Sequence, residues 1–138
     1  MKKTSTTIRS NYFLAIACSI FLSATAFAQL DSIKIIPANP TTNDSVKVIG
    51  YKTFGSASCN LLSSSSATVG NFVVIQACHA FGALSVMCYT TDTINMGKFA
   101  SGSYSAIYML NRSTLDTSCK NPVFMDSTAA PFTVTDAS

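Results

Sequence analysis

The chain has 138 residues, of which 48% are hydrophobic and only 11% charged, with a formal net charge of +3. That excess is local: Lys2, Lys3 and Arg9 sit at the start, and residues 29–138 carry six Lys or Arg against six Asp. A neutral remainder without a basic cluster excludes a nucleic-acid surface. Residues 29–138 are the right length for one domain with a real core. Glu and Trp are absent, and Ser and Thr are abundant. This mix disfavours helices and favours strands and turns.

Met1–Ala28 reads as a secretory signal peptide. Lys2, Lys3 and Arg9 form the positive leader, and Tyr12–Phe27 the apolar run. Ala26-Phe27-Ala28 places small residues at −3 and −1 of a cut before Gln29. A retained anchor is the competing reading, but the run is shorter than the roughly 20 residues that span a bilayer. Ala15-Ile16-Ala17-Cys18 is a weaker, lipidation-like alternative, with Ala where Leu is expected. Cleavage leaves one domain, 29–138, with no stable membrane span.

Seven or so short strands follow. Ser32–Ile36 is β-branched and is stopped by Pro37-Ala38-Asn39-Pro40. Ser45–Tyr51 alternates, with Val46 and Val48 on one face and Lys47 on the other. Ser58–Leu62 is a third strand, and Ser63–Gly70 reads as a loop. Phe72–Ala77, Ser85–Tyr89 with Thr93–Met96, and Ser103–Leu110 come next. Residues 112–130 form a long loop, and Phe132–Thr135 closes the chain. This spacing of strands and turns predicts an all-β, antiparallel Greek-key sandwich.

Met96 to Tyr104 is the sharpest local signature. An apolar residue, turns at Gly97 and Gly102, and a Tyr opening the next strand match a tyrosine corner, whose phenol hydrogen-bonds to backbone upstream. The plainer reading makes Tyr104 an ordinary strand aromatic. Together with Pro37–Val46 and Asp92-Thr93-Ile94, this element resembles the immunoglobulin-like modules of secreted proteins from Bacteroidetes-type bacteria. The resemblance implies an immunoglobulin-like sandwich, without antibody-like function. It departs from antibody domains in two ways: there is no core Trp, and neither Ser45–Tyr51 nor Ser103–Leu110 contains Cys. Asp31-Ser32-Ile33, Asp44-Ser45-Val46, Asp92-Thr93-Ile94 and Asp126-Ser127-Thr128 also resemble the O-glycosylation acceptor of such bacteria. That likeness implies Ser32, Ser45, Thr93 and Ser127 as acceptors. The competing reading is that Asp before a β-former simply starts a strand.

Four cysteines follow the leader: Cys59, Cys78, Cys88 and Cys119. An even number in a short exported chain predicts two disulfides. Zinc is the rival, but metal sites usually show closely paired ligands, and these residues are widely spaced. Three pairings are open from sequence. Cys59–Cys88 with Cys78–Cys119 is preferred, because the second bridge would tether the 112–130 loop.

No catalytic, cofactor or metal site is expected. His79 is the only histidine and cannot make a triad alone. No Ser has a nucleophile-elbow context, and no Glu is present to pair with an Asp. His79 is read as a surface or packing residue, with a lesser claim to a binding role. Phe54, Phe81 and Phe124 lie near the loops and are candidates for a binding surface; the alternative is that they are core. The favoured function is a secreted or periplasmic, non-catalytic module. It would bind a protein or glycan in the extracellular or envelope space, or support an envelope assembly. The alternative is a small exported hydrolase with an unrecognised active site.

Overall fold

The computed structural model describes residues 28–82, 86–113 and 117–138. Apart from Ala28, the expected leader lies outside the described residues, as does Cys18. The strands are β1 (Ala28–Ile36), β2 (Val46–Gly55), β3 (Leu61–Val69), β4 (Phe72–His79), β5 (Met87–Gly97), β6 (Gly102–Arg112) and β7 (Val123–Val134). They make a three-stranded sheet, β1-β2-β5, that faces a four-stranded sheet, β3-β4-β6-β7. The sandwich expected from the strand spacing is therefore present. No helix among the described residues is long and apolar enough to cross a membrane.

Period-2 alternation builds the core. Val46, Val48, Lys52 and Phe54 of β2 point inward and are buried, whereas Lys47 and Tyr51 are exposed. Val73, Ile75 and Ala77 of β4 meet them from the other sheet, with Ala106, Tyr108 and Leu110 of β6 and Val134 of β7. Each large apolar side chain fully buried in this way contributes roughly 1.5–3 kcal/mol.

Three expectations need correction. First, the sandwich is not antiparallel throughout, because β4 and β6 pair in parallel. The chain leaves β4, crosses to the other sheet as β5, and returns as β6 running in the same direction as β4. Second, Ser63–Gly70 is not a loop. Ser63 to Val69 belong to β3, which pairs with β4 across a tight turn at Gly70 and Asn71. Gly70 takes φ +59° there, a conformation glycine adopts without strain. Third, the 112–130 loop is short. β7 starts at Val123 and pairs with β6 along its length, so the connection is only residues 113–122.

The tyrosine corner is present. Tyr104 Oη donates to the carbonyl of Ala100 at 3.0 Å. Its ring stacks on Phe132, with centroids 5.4 Å apart, and meets Phe99 at 5.0 Å. Gly97 ends β5 with φ +95°, so the turn into β6 needs glycine at that point. These residues close one pole of the sandwich. The ends of β2, β4 and β6 and the starts of β5 and β7 define the opposite pole.

Candidate functional site

The opposite pole holds both disulfides, Cys59–Cys88 and Cys78–Cys119, with Cα separations of 6.2 and 6.1 Å. The pairing is the one preferred from sequence. Cys119 ties residues 113–122 to the end of β4, and Ser113 Oγ reinforces that segment by donating to the carbonyl of Ser118 at 2.7 Å. Two disulfides belong to an oxidising compartment outside the cytosol.

Between this pole and the middle of the core lies a buried polar cluster. Lys52 of β2, His79 at the end of β4, Asp92 of β5 and Tyr108 of β6 converge on one oxygen, Asp92 Oδ2. Lys52 Nζ lies 2.6 Å from it, His79 Nε2 2.6 Å, and Tyr108 Oη 3.2 Å. The register explains the convergence. Gly50 stands opposite Asp92 on the neighbouring strand, so Lys52, two residues along on the same inward face, is its diagonal neighbour. Gly50 also makes room. A Cβ there would come within 2.8 Å of the Tyr108 ring.

The hydrogen bonds fix where protons must sit. His79 Nδ1 faces the Cys59 carbonyl at 2.7 Å, and a carbonyl can only accept, so Nδ1 carries a hydrogen. The short Nε2–Oδ2 contact also needs a hydrogen between its two atoms. His79 and Asp92 therefore share a proton, as imidazolium and carboxylate or as imidazole and acid. Lys52 Nζ donates as well to the carbonyl of Gly50 at 2.9 Å and approaches Tyr108 Oη at 3.4 Å.

Burial acts on each member. Desolvation pulls the Lys52 ammonium below its ordinary range, although its bond to Asp92 and that charge oppose the shift. For Asp92, burial alone would raise the carboxyl. Hydrogen bonds from His79 and Lys52, with their charges, outweigh it and hold the group below its usual value. Tyr108 is pushed far up by burial first and by the Asp92 charge second.

The residues singled out from sequence scatter. Phe54 is not on a loop; it is fully buried in β2 and packs on His79 at 5.0 Å. His79 is no surface residue, because its side chain is fully enclosed at the end of β4. Phe81 is half-buried beneath the Arg112 guanidinium, which lies 4.8 Å from its ring centroid. Phe124 is exposed, but it lies on β7 rather than in a loop. The four residues do not form one surface. Ser32, Ser45, Thr93 and Ser127 are all exposed. No group of three His, Cys, Asp or Glu among the described residues is placed to hold a metal ion.

Lys52, Asp92 and Tyr108 were not singled out, although the sequence held a signal. Lys52 occupies the inward phase of the series Val46, Val48, Phe54, and Asp92 the inward phase of Ile94 and Met96. A charged side chain at such a position is buried only when paired.

The outer face of the three-stranded sheet carries a second feature missed from sequence. Tyr51 and Tyr89 are diagonal neighbours there, with 37% and 74% of their surfaces exposed. They border a depression of about 290 Å³ that Asp31, Thr90 and Thr91 also line. Asp31 Oδ2 accepts a hydrogen bond from Thr53 Oγ1 at 2.7 Å, which orients its carboxylate. Two aromatic faces beside an oriented acceptor can stack on a ligand and hydrogen-bond it.

Comparison of the chain with protein-family models, with curated proteins and with solved structures finds no match.

Proposed function

We propose that this chain is an exported, non-catalytic, immunoglobulin-like module that binds a protein or glycan partner in the extracellular or envelope space. The observation that carries this reading is the pair of exposed tyrosines over the Asp31 depression. Large aromatic groups left in water on a rigid sheet supply contact area at low entropic cost and dominate binding energetics where they are enclosed by a partner. The distribution of acid–base groups points the same way. His79, Asp92, Lys52 and Tyr108 are all withdrawn into the core, where a polymeric substrate has no access. The two disulfides suit a domain that must persist in an oxidising space.

The test is retention of the protein on envelope fractions and on an array of surface glycans. Replacing both Tyr51 and Tyr89 by Ala should leave the circular-dichroism spectrum and the melting transition near those of the parent and reduce retention at least tenfold. Equal retention of parent and variant would remove the tyrosine face as the binding surface. Turnover of glycan or peptide substrates by the parent would turn the reading toward an exported hydrolase.

A further inference from the structure

The buried cluster holds an amine and a carboxyl in direct contact, enclosed from water and flanked by a proton carrier. We propose that Lys52 and Asp92 condense to form an intramolecular amide cross-link between β2 and β5.

Proximity is the first argument. Lys52 Nζ lies 2.6 Å from Asp92 Oδ2, and both side chains are almost wholly enclosed, at 0% and 5% exposure. Holding two reacting groups in contact replaces a bimolecular encounter by a unimolecular step, which is worth roughly 7–11 kcal/mol of barrier in well-oriented cases. In water, condensation of an amine with a carboxylic acid is opposed by solvent and by charge on both groups. Here solvent is excluded, and the low dielectric favours the uncharged pair that the reaction requires.

The positions of the protons are the second argument. The ammonium proton passes along the contact from Nζ to Oδ2, leaving a free amine and a neutral acid. The Nζ lone pair then attacks Cγ. His79 first gives its Nε2 proton to Oδ2, which it faces at 2.6 Å, and then takes one from Nζ. The Cγ–Oδ2 bond breaks, and Oδ2 leaves as water. Oδ1 remains as the amide carbonyl. An ammonium and a carboxylate become one amide and one water, nothing is oxidised or reduced, and His79 ends as it began. The donors gather on Oδ2, the atom that departs, and Tyr108 Oη helps to hold it in place for protonation.

The ion-pair state is favoured by those donors, which keep Asp92 below its usual range. The neutral pair is needed only transiently, so its population bears on the rate and not on the outcome. The reaction happens once per molecule, and exclusion of water from the packed cluster disfavours the reverse hydrolysis. Burial lowers Lys52 in the direction the attack requires.

Intact mass spectrometry of the folded, disulfide-bonded protein tests this directly. The expected mass is that of the oxidised chain less one water, in essentially all molecules. After reduction and digestion, a branched peptide should join the Lys52 and Asp92 segments. Lys52→Arg keeps the charge but cannot form the link, so its mass should regain the water. Parent protein that is folded and oxidised yet carries the full mass overturns the proposal. His79→Gln, if folded and fully cross-linked at the parental rate, would overturn the role given to His79.

Discussion

The two poles of the sandwich are closed by different chemistry. One is closed by carbon: Phe99, Tyr104 and Phe132 pack ring against ring, capped by a single hydroxyl-to-carbonyl bond. The other is closed by two disulfides and a charged cluster of four side chains. The difference shows how a domain without Trp can spread its stabilisation. An aromatic plug is tolerant, because each contact contributes a little and loss of one leaves the others. A buried charge cluster is intolerant. Its members are stable only together, since each isolated charge would carry an unrecovered desolvation cost.

Asp92→Ala should separate the poles most sharply. It removes at once the partner of Lys52, whether ion-paired or condensed to the proposed amide, and the carboxyl that His79 and Tyr108 face, and leaves a buried amine charge uncompensated. A loss of about 3–5 kcal/mol is expected in urea denaturation. A loss below about 1 kcal/mol would mean that water reaches the cluster.

Removal of a single disulfide should rank next. The bridges span 29 and 41 residues, and the chain-entropy account gives about 3–4 kcal/mol for loops of such length. Cys78→Ser combined with Cys119→Ser should leave the sandwich folded but make residues 113–122 sensitive to limited proteolysis. Unchanged digestion would show that the Ser113 hydrogen bonds hold that segment without the bridge.

Gly50→Ala should cost about 1–3 kcal/mol, because the new methyl meets the Tyr108 ring and must displace it from Asp92. A change within a few tenths of a kcal/mol in the same denaturation assay would show that Tyr108 can move without disturbing the charge cluster.

At the aromatic pole the effect should be smallest. Tyr104→Phe removes one partly exposed hydrogen bond and keeps the stacking, so about 0.5–1.5 kcal/mol is expected. A loss as large as that of Asp92→Ala would erase the contrast between the poles.

The aromatic pole was legible in the sequence because its signals are local. Gly97, Gly102 and Tyr104 lie within a few residues and imply one turn. The alternation in β2 and β6 was legible for the same reason. Elements at the other extreme were hidden by composition. β3 is an edge strand solvated on both faces, so Ser63–Ser66 show no alternation and look like a loop. β7 contains Asp126 and Pro131, both turn-type residues, which an edge strand tolerates. The charge cluster joins residues from four strands, at 52, 79, 92 and 108. No spacing rule links them until the sheets are paired. Lys and Asp are read as surface residues by default, and only their inward phase tells otherwise.

The directions of the first and last strands have a mechanical consequence. β1 begins beside Phe54, near the disulfides, whereas β7 ends beside Gly102, at the aromatic pole. A pull applied at the start of β1 and at the end of β7 therefore runs lengthwise through the domain. It slides β1 along β2 and β7 along β6 rather than peeling either strand from its end. Because antiparallel ladder bonds lie across the strand direction, many of them bear such a load together. The same domain pulled across its sheets would surrender those bonds one after another.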